Sequence, residues 1–413
     1  MHVLNGRSFR SEHKAMVPVE SYPRKIGRCK ADTRSIMNEI GIVAVSHPSL
    51  GGTFQYTLSM IDALRQIPNN NYTIYTSADN DSYDNLGIPI KRIPGVVKSL
   101  LAVFWTKLTS GRHGVLFSEV DIVIAPIYTT RLLASGRPFV FTIHDLQERY
   151  YPEYFTPAQR YWRKFANAAL ASCADTILCE SDHVKSDIMK FLMVEESKIT
   201  AIAAPPITAL TRSHEDPEFL ERRAQELNLP DQFIFYPAQF FPHKNHIRLI
   251  DAFASLLRGF PRCHLLLTGQ KRHDFAKVMA HVSDLNLDGR VMHLGYVDTD
   301  NLAVVYRRAA FVVIPTLFES VSIPIYEAFR LGVPVCASNV VALPEQVGDA
   351  GVLFDPFSVG DMTEKMCELL ADEQLRRSLV IKGRERVNAL TTERYASQLA
   401  RVLEKMGHRR PAE

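Results

Sequence analysis

The sequence predicts an α/β fold of two doubly wound, Rossmann-like domains facing each other across a cleft. Three observations predict it. The chain has 413 residues, more than one hydrophobic core holds, because domains centre on about 100–150 residues. Short apolar runs alternate with longer helix-period segments through both halves, the mark of parallel strands joined by crossover helices. The alternation breaks once, at Ala204-Pro205-Pro206 and the charged run from Arg212 to Arg223, and then restarts.

In the first half, strands are predicted at Ile40–Val45, Tyr72–Thr76, Val120–Ile124, Phe139–Ile143, Thr176–Cys179 and Ile199–Ala203. Helical periods fill Thr53–Arg65, Pro157–Ser172 and Asp182–Phe191. In the second half, strands are predicted at Phe233–Tyr236, His264–Leu267, Val291–His293, Phe311–Ile314, Val333–Cys336 and Gly351–Phe354. Helices are predicted near His246–Leu257, Asp274–Leu285, Asn301–Ala309, Pro324–Leu331 and Asp361–Ala371. The domain plan is a basic tail over 1–38, a first domain over 39–206, a linker over 207–228 and a second domain over 229–390. An amphipathic helix then begins at Thr392 and carries Tyr395, Leu399, Val402, Leu403 and Met406 at spacings of three and four. That stripe must be buried somewhere.

Composition narrows the function classes. Hydrophobic residues make up 46% and charged residues 23%, values of an ordinary globular chain. Lys plus Arg number 48 against 45 Asp plus Glu, a net charge of +3, which argues against a broad nucleic-acid-binding face. No run approaches the ~18 apolar residues of a spanning helix. Six scattered cysteines include no C-x-x-C pair, so neither a zinc site nor a disulfide framework is indicated. The amino terminus has no apolar h-region. A cytoplasmic location is therefore expected, with peripheral contact at the inner face of a membrane as a second reading. The stretch Lys91–Arg112, which mixes cations with Leu100, Phe104 and Trp105, is read first as core and second as such a contact surface.

The chemistry concentrates after the strand that ends at Ile314. Pro315-Thr-Leu-Phe-Glu319 leads through Ser322 to Pro324, a residue suited to the first turn of a helix, and on to Glu327. Backbone N–H groups of Ser322 to Ile325 are expected to point out of the strand ends and attract an anion, phosphate in particular. Glu319 and Glu327 cannot both contact phosphate without repulsion, so hydroxyls are their sensible partners. A nucleotide sugar supplies both. In the first half, Gly51-Gly52 follows a strand and opens a helix, where backbone without Cβ can approach a diphosphate. His144-Asp145 ends another apolar run.

These residues together resemble the retaining family-4 glycosyltransferases of the GT-B fold. The resemblance rests on Glu319 and Glu327 spaced as E-x7-E, Glu327-Ala-Phe, Gly332-Val-Pro334 and Pro344-Glu345 followed by Gly348. Phe235-Tyr-Pro-Ala-Gln239-Phe-Phe-Pro-His243-Lys244-Asn245 is similar to that family's phosphate-gripping loop, and Leu267-Thr-Gly269 and His293-Leu-Gly295-Tyr also fit. It implies that Glu319 binds the hydroxyls of the donor sugar and Glu327 the ribose. It places the backbone of Ser320, Val321, Ser322 and Ile323 against the sugar, Gly51 and Gly52 beside the diphosphate, and His144 near the reacting sugar. Many relatives have Arg where Gln239 stands; Lys244 remains, and His243 is expected to substitute in part. Ser322 stands where Gly is commoner.

The expected activity is transfer of a sugar, mannose among the options, from a nucleoside-diphosphate donor to a hydroxyl of a glycan or lipid-linked acceptor in polysaccharide assembly. The rival readings are a nucleotide-sugar 2-epimerase on the same fold and a non-catalytic sugar-binding protein. No cofactor and no metal are expected. The two D-x-D matches, Asp79-Asn80-Asp81 and Asp298-Thr299-Asp300, are read as turn and cap residues. The amphipathic carboxy-terminal helix, over 391–413, is expected to cross back to the first domain, as GT-B relatives often do.

Overall fold

Thirteen strands among the described residues form two parallel sheets, seven strands in the first and six in the second. The computed structural model describes residues 38–48, 51–95, 116–206, 216–271, 273–295 and 297–407. The basic tail through residue 37, positions 49 and 50, residues 96–112 of the basic–apolar stretch, residues 207–215 of the linker and Tyr296 lie outside them.

The first sheet comprises β1 (Asn38–Val43), β2 (Asn70–Ser77), β3 (Ile90–Ile93), β4 (Ile122–Ala125), β5 (Phe139–Thr142), β6 (Thr176–Cys179) and β7 (Ile199–Ala201). They lie in the order β3-β2-β1-β4-β5-β6-β7. Alternate residues go to opposite faces: Ile42, Val140 and Leu178 to one core, Val43, Phe141 and Ile177 to the other. A sheet covered on both faces reads as uninterrupted apolar runs, which is why these strands stand out in the sequence. The exception is β3, at the sheet edge between Pro89 and Pro94. Its Lys91 pairs with Glu119 and its Arg92 with Asp81 and Asp84, so the start of the basic stretch is an edge strand with its charges satisfied.

The second sheet comprises β8 (Phe233–Pro237), β9 (His264–Thr268), β10 (Val291–His293), β11 (Phe311–Ile314), β12 (Val335–Ser338) and β13 (Gly351–Phe354), in the order β10-β9-β8-β11-β12-β13. In each sheet the strand order reverses direction once, at β1/β4 and at β8/β11. Ligands of open α/β sheets bind at those switch points, beyond the carboxyl ends of the strands.

The helices are α1 (Gly52–Leu64), α2 (Pro157–Cys173), α3 (Asp182–Leu192), α4 (Pro217–Glu226), α5 (His246–Leu256), α6 (Phe275–Asp284), α7 (Thr299–Arg308), α8 (Ile323–Leu331), α9 (Leu343–Val347), α10 (Val359–Ala371), α11 (Glu373–Asn388) and α12 (Thr392–Gly407). The charged run from Arg212 to Arg223 is read as a linker and its flanking helix, and α4 is that helix; it packs on the second domain, where Arg223 bonds Asn301 on α7 at 2.9 Å and Arg308 pairs with Glu221. One long helix is absent from the sequence plan for a physical reason. α11 is polar around most of its surface, so the apolar period that marks a helix in sequence is faint.

α12 carries the buried stripe Tyr395, Ala396, Leu399, Val402, Leu403 and Met406. It joins the core of the first domain, with Tyr56, Met60 and Leu64 of α1. The chain therefore ends its described path on the domain where it began. Leu399 is 2% exposed in that cluster. Leu399→Ala is expected to cost about 2–5 kcal/mol, transfer plus cavity. Denaturant unfolding of the purified protein checks this; a cost under about 1 kcal/mol contradicts a core role for the stripe.

Candidate active site

On the second domain, two loops meet because Asn245 ties them together. Asn245 adopts a left-handed conformation (φ 59°) before α5. Its side-chain amide donates to the carbonyls of Pro315 at 3.0 Å and Pro356 at 2.9 Å. The Leu317 N–H and the Thr316 hydroxyl donate to the His243 carbonyl at 2.7 and 3.1 Å. Loop 238–245 after β8 is thus fastened to loop 315–322 after β11. Gly269 (φ +116°) closes the other flank: a Cβ there would lie 2.6 Å from the Ala238 oxygen. Gln239 sits half-buried in that turn.

The fastening brings Lys244 Nζ to 2.9 Å from Glu319 Oε1. Both side chains are largely shielded, and the other carboxylate oxygen of Glu319 is buried without a hydrogen bond. An anion-binding cation in contact with a hydroxyl-binding carboxylate is what a sugar phosphate requires on its two sides. His243 does not supply the missing charge. Burial first, and then the neighbouring Lys244 ammonium, push its pKa down to about 3, so its ring is neutral at pH 7. It stacks on Phe241 and faces Tyr154 instead.

Glu327 is half-buried on α8 and accepts the Tyr306 hydroxyl at 2.6 Å through Oε2. Burial raises its pKa, opposed by that hydrogen bond. The start of α8 differs from expectation. The Ser322 side chain caps nothing, and its amide is not free: it donates to Gln346 Oε1 at 2.8 Å, while the Ser322 carbonyl accepts Gln346 Nε2 at 2.7 Å. The Ile325 N–H turns back to the Ser322 carbonyl, and Pro324 has none. Of the three N–H groups from Ser322 to Ile325, that of Ile323 is left. Gln346 grips the Ser322 backbone through both its N–H and its carbonyl, and the Ser322 hydroxyl is buried without a hydrogen-bond partner.

The first domain faces this loop. Gly51 (φ +58°) turns the chain into α1, and a Cβ on Gly52 would lie 3.3 Å from Ile323 Cδ1. A cavity between the domains is lined by Gly52, Tyr56, His144, Glu180, Ser320, Val321, Ile323 and Tyr326. His144, Gly52 and the 320–323 loop therefore share one cavity, and Glu319 adjoins it in the chain. Asp81 pairs with Arg92, and Asp298 caps α7 through the Asn301 N–H, so each D-x-D match contains a residue with a structural bond. Among the described residues no group of three His, Cys, Asp or Glu is placed to hold a metal ion.

Comparison with known proteins decides the family. A family model described as Glycosyl transferases group 1 matches residues 218–386, and one described as Glycosyltransferase Family 4 matches residues 50–204. The chain belongs to the family-4 glycosyltransferases. It is 30% identical to O-antigen chain mannosyltransferase B of Escherichia coli, over 63% of this chain and 68% of that one. It is 25% identical to O-antigen chain mannosyltransferase RfbU of Salmonella typhimurium, over 74% and 83%. Among solved structures, Anabaena HepE in complex with UDP and glucose superposes with a TM-score of 0.71 at 18% identity, covering 89% of this chain and 100% of that one. The fold is GT-B and the protein is a glycosyltransferase; the epimerase and non-catalytic readings fall to the family matches.

Several residues around this glycosyltransferase's cleft escaped the sequence reading or had no role assigned by it. Glu180 Oε2 lies 2.8 Å from His144 Nδ1, and His144 Nε2 lies 3.1 Å from the Pro126 carbonyl. A carbonyl only accepts, so Nε2 carries a proton; the carboxylate on Nδ1 favours a second one. Burial opposes the charged ring, but the Glu180 hydrogen bond and charge more than offset it and raise the His144 pKa. Tyr56 places its ring edge-on against His144 at 4.6 Å. Glu345, known from its motif but with no role assigned, reaches across the cleft. Its carboxylate accepts the Asp182 and His183 N–H groups at the start of α3, at 3.0 to 3.4 Å. A carboxylate at a helix N-terminus also complements the helix dipole. Tyr151 completes the bridge by donating its hydroxyl to the Leu317 carbonyl at 3.1 Å.

Because folding raises the His144 pKa, the charged ring stabilises the native state below the ordinary histidine value. That contribution is lost as pH rises through the raised value. Glu180→Gln removes the counter-charge and leaves the burial, so the His144 pKa is expected to fall to or below the ordinary value. An NMR titration of the imidazole reads this directly; an unchanged midpoint would falsify the pairing.

Proposed function

We propose that this glycosyltransferase moves a hexose, mannose first among candidates, from a nucleoside-diphosphate donor to a hydroxyl of a growing glycan, with retention of configuration. The observation that carries the reading is the Lys244–Glu319 contact at the β8/β11 switch point. The mannose assignment is supported by the two mannosyltransferase relatives, and a nucleotide-sugar donor by the UDP and glucose bound to HepE.

In this reading the donor sugar sets its hydroxyls against the free oxygen of Glu319, the ribose bonds Glu327, and the diphosphate lies between Lys244 and the Gly51-Gly52 turn. The bond from the anomeric carbon to the diphosphate oxygen breaks, and negative charge grows on the leaving group. Lys244 sits in a shielded site where such charge stabilisation is strong. The acceptor hydroxyl approaches from the first domain, past His144. Both ring nitrogens of His144 are committed, Nδ1 to Glu180 and Nε2 to the Pro126 carbonyl, so it lines the acceptor's path as a held ring and not as the base. The same reading puts the enzyme in the cytoplasm, with a glycan or lipid-linked acceptor and no nucleic acid. No helix among the described residues is long and apolar enough to cross a membrane.

Thermal-shift screening of UDP-, GDP- and ADP-sugars, followed by product analysis with the stabilising donor, tests the proposal; ligands that bind the native state raise its melting point. Failure of every nucleotide sugar to bind or transfer would refute it. With a working donor, Lys244→Ala is expected to lose roughly 2–4 kcal/mol of transition-state stabilisation. Glu319→Gln should lower kcat, while Glu327→Gln should chiefly raise the donor KM. Kinetics of the three variants check the assignment, and wild-type turnover in Glu319→Gln contradicts it.

The proposed grip on the diphosphate uses Lys244 and backbone amides, with no metal. Transfer is therefore expected to persist in EDTA. An absolute requirement for added magnesium or manganese would overturn that expectation.

A further inference from the structure

α2 buries Ala166, Asn167, Leu170 and Ala171 along its second half. Its first two turns do the reverse. Tyr161, Trp162 and Phe165 are 73, 40 and 47% exposed. Positions 161, 162 and 165 lie on one helical face, so the three rings form a patch, and a patch of this kind marks an interaction site. The helix cannot roll to bury them. Arg163, from the same turns, points inward and is held by Asp145 at 2.6 Å and Glu148 at 2.8 Å, with its guanidinium over the Phe155 ring.

Beside the rings lies a recess lined by Glu148, Arg149, Pro157, Arg160, Tyr161 and Lys164. It holds three cations and one carboxylate, and the Glu148 carboxylate is nearly inaccessible and already bonded to Arg163. The recess therefore presents positive charge to solvent. Aromatic rings rimmed by cations match the boundary of an anionic bilayer, where rings lodge at headgroup level and cations meet lipid phosphates. A second copy of the chain fits this face poorly, since it would bring the same positive charge against it.

We propose that the first two turns of α2 are a docking surface for an anionic membrane, with Tyr161, Trp162 and Phe165 entering the interface and Arg149, Arg160 and Lys164 taking lipid phosphates. The surface is one ion pair from the cleft, because the Asp145 that holds Arg163 follows His144 in the chain. A bilayer seated there holds membrane-bound acceptors beside the cavity. The docking itself does not depend on the donor or acceptor assigned above, so vesicle binding tests it alone.

The test is co-sedimentation of the full chain with vesicles of phosphatidylcholine alone or mixed with phosphatidylglycerol. Wild type is expected to bind the mixed vesicles and not the neutral ones, less strongly as salt rises. Arg160→Ala with Lys164→Ala should weaken binding roughly 25-fold, about fivefold per cation. Tyr161→Ser with Trp162→Ser and Phe165→Ser should abolish it. All five positions are exposed, so circular dichroism melts should match wild type, as should transfer to a water-soluble acceptor without lipid. Wild type that stays in the supernatant overturns the proposal, as does a triple-serine variant that binds like wild type. A wild-type dimer that the triple-serine variant dissociates also overturns it, in favour of a second copy as the occupant.

Discussion

The Lys244–Glu319 contact rests on a set of hydrogen bonds between two loops, centred on one side-chain amide and joined by two bonds to the His243 carbonyl. Asn245 reaches two carbonyls, of Pro315 and Pro356, that belong to loops 70 and 111 residues away in sequence. It can do so because Asn tolerates the left-handed backbone it adopts there. Without that tie, Lys244 and Glu319 sit on separate loops, each with more freedom than an ion pair of this geometry permits. An exposed ion pair contributes little, since side-chain ordering offsets its Coulomb attraction. Here the backbone is ordered by buried hydrogen bonds first, and the charges are then held in contact within a shielded turn. Placement of the charge is therefore a property of the fold, set before any ligand arrives.

Among the described residues, several contacts between the two domains gather at the cavity. Glu345 closes the open N-terminus of α3, Tyr151 bonds the carbonyl of Leu317, and Gly52 lies against Ile323. Tyr150 and Tyr151 pack on Phe318 beside them. Each contact uses a residue within a few positions of one the site requires: Glu345 adjoins Gln346, which clamps Ser322, and Leu317 is two residues from Glu319. α12 adds a covalent constraint, since the chain leaves the second domain and buries six residues in the core of the first.

The sequence made most of the fold legible because parallel strands buried on both faces are continuous apolar runs, and the second domain's loops carry dense motifs. The loops that bring Lys244 against Glu319 were legible for the same reason. β3 was hidden by its charges and flanking prolines, and α11 by its polar surface. The state of His243 was hidden because burial and a neighbouring ammonium, neither visible in a string, decide whether its ring is charged. Glu180 was hidden by distance, yet a signal existed. β5 and β6 pair with Val140 opposite Thr176 and Thr142 opposite Leu178. Extending that register two residues past the strands sets His144 opposite Glu180. Gln346 had no such signal, since it meets Ser322 only through the packing of α9 on the loop.

Three carboxylates around the cleft share one arrangement. Glu319 spends Oε1 on Lys244, Glu180 spends Oε2 on His144, and Glu327 spends Oε2 on Tyr306. A carboxylate accepts through two oxygens, so each of these bonds commits one oxygen to the protein and leaves the second outside that bond. The committed bond fixes orientation and offsets the cost of holding the group out of water. The remaining oxygen can only accept, which selects for ligands that donate and rejects free phosphate by repulsion. In the proposed reading phosphate goes instead to Lys244, and the three partners that hold these carboxylates separate an anion-accepting group from hydroxyl-accepting ones. A nucleoside-diphosphate sugar carries its phosphates and hydroxyls in the same separation.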